Sequence, residues 1–375
     1  MRRVGKSSIV KLLITHLREQ GIPEKAILYI NKESLVWDFI RDYADLNKYV
    51  IETFKGIKGE KFLFIDEVQE IYQWEKAVNS FLTDNIADLT ITGSNAGLLA
   101  SELASLLSGR YIDFSIHPLS FKEFLLFRGK KSGNERDEFR LYLRYGGMPG
   151  IHNLSLRDDM IFPYLNALYS SIVLKDVVSR NQIRDPALLD LIIRFVFDNC
   201  GNITTAKRIT DYLKNQRITV SVDKVIKYIA YLEEAFLLHR VRRYDIKGLR
   251  HLELYEKYYV GDIGLRHGFL GYRDGDISGL LENLIYLELK QRGFKVSIGK
   301  IDNLEVDFIA ETQQEKLYIQ VTLELSEEKT IEREFSILER IPDNHEKIVL
   351  SMDEFQKIQR RGIKHKSIID FLLEL

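Results

Sequence analysis

Over the first 130 residues the hydrophobic pattern alternates between the spacing typical of helices and the short apolar runs typical of buried strands. Residues 5–20 carry apolar side chains at helical spacing and end at Gly21-Ile22-Pro23. Short apolar runs that predict buried strands occur at 26–31, 61–67, 89–95 and 111–116, and helical patterns at 35–53, 74–85 and 97–107. Strands that alternate with helices predict the α/β class, with a largely parallel sheet covered on both faces.

In the rest of the chain the hydrophobic pattern changes twice. The pattern is almost wholly helical from about 136 to 235, and two short strand-like runs follow within 236–262. From about 280 a second α/β pattern is predicted, with helices at 281–292 and 328–340 and strands at 295–299, 305–310, 316–325 and 347–353. The predicted breaks between these parts are the polar stretch 129–138 and the sequence YGGMPG at 145–150.

Composition narrows the class of protein. Of the 375 residues, 45% are apolar, 29% are charged and only 6 are proline, which is typical of a globular chain with two or three domains. A single cysteine, Cys200, excludes an intramolecular disulfide and fits a cytoplasmic location. We expect no membrane segment, because no apolar run approaches 18 residues. The net charge of −1 identifies no partner.

Three polar motifs lie where a nucleotide would bind. Gly5-Lys6-Ser7 matches the end of a phosphate-binding loop, in which backbone N–H groups and the lysine hold phosphate and the hydroxyl binds Mg²⁺. Asp66-Glu67 follows the apolar run FLFI, and adjacent buried carboxylates are costly unless a cation is near. Ser94-Asn95 follows the next run. The motifs occur in the order, and at the strand ends, where open α/β sheets bind ligands. Each motif taken alone would also fit the start of a helix.

These motifs resemble the AAA-type ATPases of bacteria and archaea that carry a restriction-endonuclease-like C-terminal domain. The segments that carry the resemblance are RRVGKSS, FLFIDEVQE, ITGSNAGLL, SGRYIDFSIHPLSFKEFLLF, YGGMPG, KYYVGDIGLR, EVDFIA and YIQVTLELSEEKTIEREF. The resemblance implies ATP and Mg²⁺ as cofactors, with Asp66 as a metal ligand beside Ser7, Glu67 as the catalytic base and Ser94 or Asn95 as a sensor of the terminal phosphate. It also implies a phosphate loop made of Arg3, Val4, Gly5, Lys6, Ser7 and Ser8.

Arg110 precedes the predicted strand 111–116, where AAA-type proteins often carry an arginine that completes a neighbouring subunit's site. That position favours a homo-oligomer, and a surface arginine is the alternative interpretation. The loop also departs from the full pattern G-x-x-x-x-G-K-S, since its first glycine and the preceding strand would lie before Met1. We therefore expect an upstream in-frame segment, or else a truncated gene, with weak ATP binding and little hydrolysis by residues 1–375 alone.

The middle of the chain is basic. Residues 201–260 contain 12 Lys/Arg and 7 Asp/Glu, and predicted helices at 205–214 and 221–235 precede two strand-like runs, an order that resembles a winged helix. Lys224 and Lys227 on the second helix, and Arg240, Arg242 and Arg243 on the wing, are candidate DNA contacts. A lid or a protein-interaction module is the alternative.

The C-terminal region predicts a nuclease-like fold with an incomplete site. Glu282, Asp307 and Gln320 match the layout of restriction-like metal sites, but Gln320 replaces a carboxylate and Thr322 the usual lysine. Glu305 is an extra carboxylate on the face of Asp307. We expect a structural or nucleic-acid-docking role and no cleavage.

The predicted protein is thus a Mg–ATP-dependent AAA-type ATPase that acts on DNA or on a DNA-bound partner. The competing hypothesis is a non-catalytic nucleotide- or DNA-binding regulatory module with a vestigial ATP site. The predicted parts are an ATPase core at 1–130, a helical lid at 131–200, a winged-helix segment at 201–262 and a nuclease-like domain at 263–375.

Overall fold

The computed structural model describes residues 1–95, 109–129, 134–252, 255–353 and 358–374. It divides the chain into two compact units, Met1–Ile116 and His117–Leu375.

The first unit is built on a parallel sheet of three described strands in the order β1-β2-β3. The strands are β1 (Ile27–Asn31), β2 (Phe62–Asp66) and β3 (Asp88–Ile91), and the helices are α1 (Lys6–Glu19), α2 (Tyr43–Phe54) and α3 (Trp74–Thr83). Alternation along β2 sends Leu63 and Ile65 into the core with α2 and α3, whereas Phe64 packs with Val10 and Ile14 of α1. The sheet is therefore covered on both faces, and the predicted α/β class is confirmed.

Two predicted segments of this unit differ from the structure, and a third lies outside the part that it describes. The helix predicted at 35–53 is split into a 3₁₀ turn at Leu35–Trp37 and α2, because the Asp42 side chain accepts hydrogen bonds from Ala44 and Asp45 and starts the helix there. The strand predicted at 111–116 is wrong: these residues form no strand, and Ile112 and Phe114 are exposed. The helix predicted at 97–107 lies outside the described residues.

The second unit begins with helices. They are α4 (Phe121–Phe127), α5 (Glu135–Tyr145), α6 (Asp158–Ile172), which continues as a π-helix at Val173–Ser179, and α7 (Pro186–Asp198). Ser120 and Glu123 cap α4 reciprocally, which fixes the start of that helix.

A small antiparallel sheet follows in the order β4-β8-β5. Its strands are β4 (Ile203–Thr204), β5 (Leu238–Val241) and β8 (Glu256–Val260), and the helices α8 (Ala206–Asn215) and α9 (Val222–Glu234) lie between β4 and β5 in sequence. Ser221 accepts a hydrogen bond from the backbone N–H of Lys224 and caps α9 as predicted.

The largest sheet has eight described strands in the order β13-β14-β12-β11-β10-β9-β6-β7. Its strands are β6 (Arg243–Asp245), β7 (Arg250–His251), β9 (Lys295–Ile301), β10 (Leu304–Glu311), β11 (Lys316–Val321), β12 (Glu346–Ser351), β13 (Gln359–Arg360) and β14 (Ile363–Ser367). The remaining helices are α10 (Ile263–Leu270), α11 (Ile277–Gln291), α12 (Glu328–Glu339) and α13 (Ile368–Leu373). Since β6 pairs with β9, this sheet spans the boundary predicted at 262/263.

Helix α10 is buried between α5, α6 and α7. Its glycines permit the close approach, because a Cβ on Gly264 would lie 2.0 Å from the Tyr145 carbonyl oxygen and one on Gly268 would lie 2.8 Å from Leu165 Cβ. The buried Asp262 caps α10 and also accepts a hydrogen bond of 2.7 Å from the Gly147 N–H. Burial raises the pKa of Asp262 to about 6. The close approach accounts for Gly264 of VGDIGLR, and a Cβ on Gly146 of YGGMPG would likewise lie 2.5 Å from the Gly264 nitrogen.

Candidate functional site

The start of α1 is built to receive an anion. Gly5 precedes the helix with φ of 104°, a left-handed conformation that glycine adopts without strain, and no side chain caps the helix. The first turn holds no acidic residue. Oriented N–H groups in a first turn that carries no acidic side chain of its own suit a phosphate, so this segment fits the ligand that the motif predicts.

Lys6 connects this loop to the strand ends of the first sheet. Its Nζ donates a 2.6 Å hydrogen bond to the Met1 carbonyl and lies 3.9 Å from Glu67 Oε1. The ammonium group is thereby held close to the acidic pair at the end of β2, as the motif predicts.

Asp66 is the last residue of β2 and is 1% exposed. Its carboxylate accepts hydrogen bonds from the Tyr29 hydroxyl at 3.0 Å and from the Thr92 hydroxyl. Burial, and next the Asp66 charge, raise the pKa of Tyr29 above its ordinary value, so this phenol remains a donor. A carboxylate fixed in this way has little freedom to rotate.

Glu67 is buried and adopts a left-handed conformation with φ of 56°. Such a conformation is uncommon for a residue with a side chain. Gln69 donates a hydrogen bond to Glu67 Oε2 and lies 3.4 Å from the Ser94 hydroxyl. Gln69 therefore links the acidic pair to the motif after β3.

The remaining predicted residues of this unit differ in their position. Ser94 is fully buried beside Gln69, and Asn95 follows it at intermediate exposure. Arg110 is exposed. Val4 is buried, whereas the loop residues Arg3 and Ser8 are exposed.

Sequence reasoning missed four residues that contact the acidic pair: Arg2, Tyr29, Gln69 and Thr92. Gln69 lies inside the motif FLFIDEVQE, two residues after Glu67, and was the easiest to find. Tyr29 and Thr92 are brought to Asp66 by the parallel register of β1 and β3 with β2, which the sequence does not specify.

The residues present are compatible with Mg²⁺ carried in by a nucleotide. Ser7 lies in the first turn of α1, Asp66 supplies a carboxylate, and such an ion takes most of its other ligands from phosphate and water. Among the residues described by the structure, no group of three or more His, Cys, Asp or Glu side chains has the arrangement of a metal site.

A second polar cluster lies in the second unit, along a cleft of about 480 Å³. Glu282 of α11, Asp307 of β10 and Gln320 of β11 all line it, so the structure brings the three predicted nuclease-like residues together. The centre of the cluster is Lys257 of β8, which lies 2.7 Å from Glu282 and 2.7 Å from Glu305. Sequence reasoning missed Lys257 because it lies on a strand of the small sheet.

Charges within the cluster are compensated internally. Burial would lower the pKa of Lys257, but Glu282, Asp307 and Glu305 outweigh that effect and raise it. Burial raises the pKa of Glu282 and, with the added repulsion of Glu282, raises that of Asp307 further.

The polar groups around Asp307 are also paired. Its Oδ2 accepts a 2.8 Å hydrogen bond from the Val321 N–H, and its own N–H donates to Gln320 Oε1 at 2.8 Å. Gln320 Nε2 in turn donates to Glu334 at 2.8 Å. The amide of Gln320 is therefore a bridge between two acidic residues.

Comparison with known proteins identifies related chains. Residues 1–125 match the model of an AAA domain, and residues 136–276 match a domain of unknown function. An uncharacterized protein of Haemophilus influenzae is 35% identical over 376 residues, which cover 100% of this chain and 93% of the relative. An uncharacterized protein of Methanocaldococcus jannaschii is 30% identical over 384 residues, covering 96% and 82%.

Solved structures give weaker similarities. A Walker-type ATPase of Pyrococcus abyssi aligns with a TM-score of 0.46 and 14% identity, covering 72% of this chain and 89% of that one. The Orc1 protein of Aeropyrum pernix in complex with DNA aligns with a TM-score of 0.33 and 12% identity, covering 71% and 84%. None of the described helices is long and apolar enough to cross a membrane.

Proposed function

This chain belongs to the family of AAA-type P-loop ATPases, and on that premise we propose that it binds Mg–ATP and hydrolyses it to drive a conformational change. The observation that carries the proposal is the convergence of three motifs at one sheet edge. Lys6 lies 3.9 Å from Glu67, and Gln69 bridges Glu67 and Ser94.

Each residue has a distinct role in this proposal. The N–H groups at the start of α1 and the Lys6 ammonium bind the phosphates. Glu67 orients the attacking water and accepts its proton, while Ser94 or Asn95 contacts the terminal phosphate. Bound Mg²⁺ would neutralise phosphate charge, and Ser7 and Asp66 would hold it.

Two substitutions test this function. Lys6→Ala should weaken ATP binding, because it removes the charge that faces the phosphates, and Glu67→Gln should retain binding but slow hydrolysis by about 100-fold or more. Binding is measured with a fluorescent ATP analogue and hydrolysis by phosphate release, with Glu60→Gln, a change at an exposed residue, as the control.

Equal turnover of Glu67→Gln and Glu60→Gln would contradict the role of Glu67. Binding without any turnover in the wild type would favour the regulatory module.

We further propose that Arg110 acts on the site of a neighbouring subunit in a homo-oligomer. Its exposure leaves it accessible to a second copy. Mixing Arg110→Ala with Lys6→Ala chains should restore part of the turnover, because a mixed interface contains one intact site. Lack of recovery in assembled mixtures would contradict this role.

DNA is the proposed partner of the second unit. The small sheet and its helices follow the order α7, β4, α8, α9, β5 and β8, which supports a winged-helix arrangement, although β6 and β7 of the largest sheet lie between β5 and β8 in sequence. Lys224 and Lys227 are exposed on α9. Arg240 is a weaker candidate, because it pairs with Glu233 and Glu256. In this proposal residues 1–130 are the ATPase core and the helices of 131–200 serve as a lid.

The nuclease-like part at 263–375 is proposed to be structural. Lys257 neutralises Glu282 and Glu305, and Asp307 is satisfied by a backbone N–H, so these carboxylates already have partners in place of a metal ion. The chain should therefore not cleave DNA with Mg²⁺. Nicking that disappears in Asp307→Ala would contradict this expectation.

A further inference from the structure

Arg2 lies at the centre of a group of acidic side chains in the first unit. Its guanidinium lies 3.2 Å from Glu33, 3.8 Å from Glu70 and 3.9 Å from Glu67. The Arg2 side chain is 13% exposed and that of Glu67 is 7% exposed, whereas those of Glu33 and Glu70 are about half exposed, at 48% and 49%. The same arginine thus contacts the proposed catalytic base and two surface acids.

These ion pairs are weak. Pairs with half-exposed carboxylates contribute little, because water screens them. The distance to Glu67 is an ion-pair distance rather than that of a hydrogen bond. A group that offers more negative charge and a better fit to the guanidinium fork should therefore displace Glu67 from Arg2.

A phosphate is such a group. It carries more charge than a carboxylate and accepts two parallel hydrogen bonds from arginine. Arg2 belongs to the segment that leads into Gly5-Lys6, and Lys6 Nζ lies 3.9 Å from the other Glu67 oxygen. The guanidinium and the Lys6 ammonium therefore each lie near one Glu67 oxygen, so a phosphate bound by Lys6 would be within reach of Arg2.

We infer that Arg2 binds the terminal phosphate of ATP within its own subunit and exchanges between that phosphate and Glu67. This inference rests on the proposed ATPase function. While Arg2 pairs with Glu67, part of the charge of the base is neutralised. Movement of Arg2 to the terminal phosphate releases the carboxylate to orient water, which couples the presence of ATP to activation of the base.

The inference predicts a specific change in nucleotide preference. Arg2→Ala should weaken ATP binding by about 10- to 100-fold and change ADP binding by less than about twofold, because only ATP carries the phosphate that Arg2 contacts. Lys6→Ala should weaken both nucleotides. Arg2→Lys should restore part of the preference for ATP, since it returns the charge without the fork.

Arg18→Ala is the matched control, because it also removes an arginine paired with a glutamate, Glu24, but on the exposed face of α1. Dissociation constants for both nucleotides are measured by fluorescence titration on the full chain, and melting curves check that each variant is folded. Equal weakening of ATP and ADP in Arg2→Ala, or an unchanged preference, would overturn the inference and leave the ATPase proposal intact. A wild-type chain that binds neither nucleotide would overturn both.

Discussion

At the scale of single residues, Lys257 is the clearest case of a buried charge with a structural task. It is 3% exposed and bonded to Glu282 and Glu305. Lys257→Met should lower the free energy of unfolding by about 3–5 kcal/mol, because it leaves two partly buried carboxylates, 15% and 27% exposed, without their counter-charge. Urea denaturation measures the change.

The control for this prediction is Lys247→Met, which removes an ion pair with Asp302 on the surface. The N–O distance of this pair is similar to those of the Lys257 pairs. That loss should be below about 1 kcal/mol, because water screens an exposed pair. Similar losses in the two variants would contradict the structural role of Lys257.

His267 gives a second prediction at this scale, concerning pH. It is 1% exposed, its Nε2 lies 3.3 Å from the Leu143 carbonyl oxygen, and burial, with the nearby Arg266 charge, lowers its pKa to about 4. The unfolded imidazole takes up a proton near pH 6.5, so the stability contributed by neutral His267 is present above that pH and is lost as the pH falls toward 4.

Between pH 7 and pH 5 the wild type should therefore lose about 2 kcal/mol relative to His267→Gln, whose amide can still donate to Leu143. The free energy of unfolding is measured across this range for both proteins. Parallel curves would show that His267 titrates alike in the folded and unfolded chains.

Site residues were accessible from sequence only where a motif marks them. Lys6, Asp66, Glu67 and Ser94 were found because they follow a loop or a strand in a recognisable order. Arg2 and Thr92 lie inside the quoted motifs RRVGKSS and ITGSNAGLL, but only the fold shows that their side chains contact Glu67 and Asp66.

At the scale of helices and strands, α10 shows how glycine sets the spacing between helices. A Cβ on Gly268 would lie 2.8 Å from Leu165 Cβ and 2.9 Å from the Asn166 nitrogen. Gly268→Ala should therefore cost about 1–3 kcal/mol, because the packed helices must move apart. Thermal unfolding measures the loss.

Gly275→Ala is the control, because a Cβ there would have no atom within 4 Å. Its stability should be unchanged or slightly raised, since alanine restricts the unfolded chain more than glycine does. A loss as large as that of Gly268→Ala would mean that helix spacing is not the cause.

Helices and strands whose apolar residues recur with a strong periodicity were predicted well, whereas segments with a weak periodicity were not. The helices α8 and α9 were predicted almost to the residue because each has a capping residue and a regular apolar stripe. The strand predicted at 111–116 failed because an alternating pattern forms a strand only when a neighbouring strand pairs with it.

At the scale of the whole molecule, binding of the full chain to DNA can be tested through salt. If the second unit contacts phosphates, log affinity should fall linearly with log salt concentration, because each contact releases counterions. Replacing Lys224 and Lys227 by glutamine should reduce that slope by about two. Fluorescence anisotropy with a labelled duplex measures it.

The control replaces two other exposed lysines, Lys329 and Lys364, with glutamine, which removes the same charge elsewhere. An equal change of slope in the two double variants would indicate non-specific attraction to the molecule as a whole. No binding at low salt would leave α9 as a protein-interaction surface.

Sheet order was the part of the molecule least accessible from sequence. The pairing of β6 with β9 and the reach of Lys257 to Glu282 join segments that the sequence assigned to different domains. Hydrophobic periodicity is local and reports which residues are buried, but not which strand lies beside which.

The position of α10 in the chain has a consequence for protein synthesis. α5, α6 and α7 all pack against α10, and Asp262 holds Gly147 across 115 residues of sequence. At about 5–20 residues per second, roughly 4–14 s separate the end of α7 from the end of α10 on the ribosome. During that interval the nascent helices expose the apolar surface that α10 later covers. The nascent chain should therefore be most prone to aggregation, and most dependent on chaperones, just before Leu270 is added.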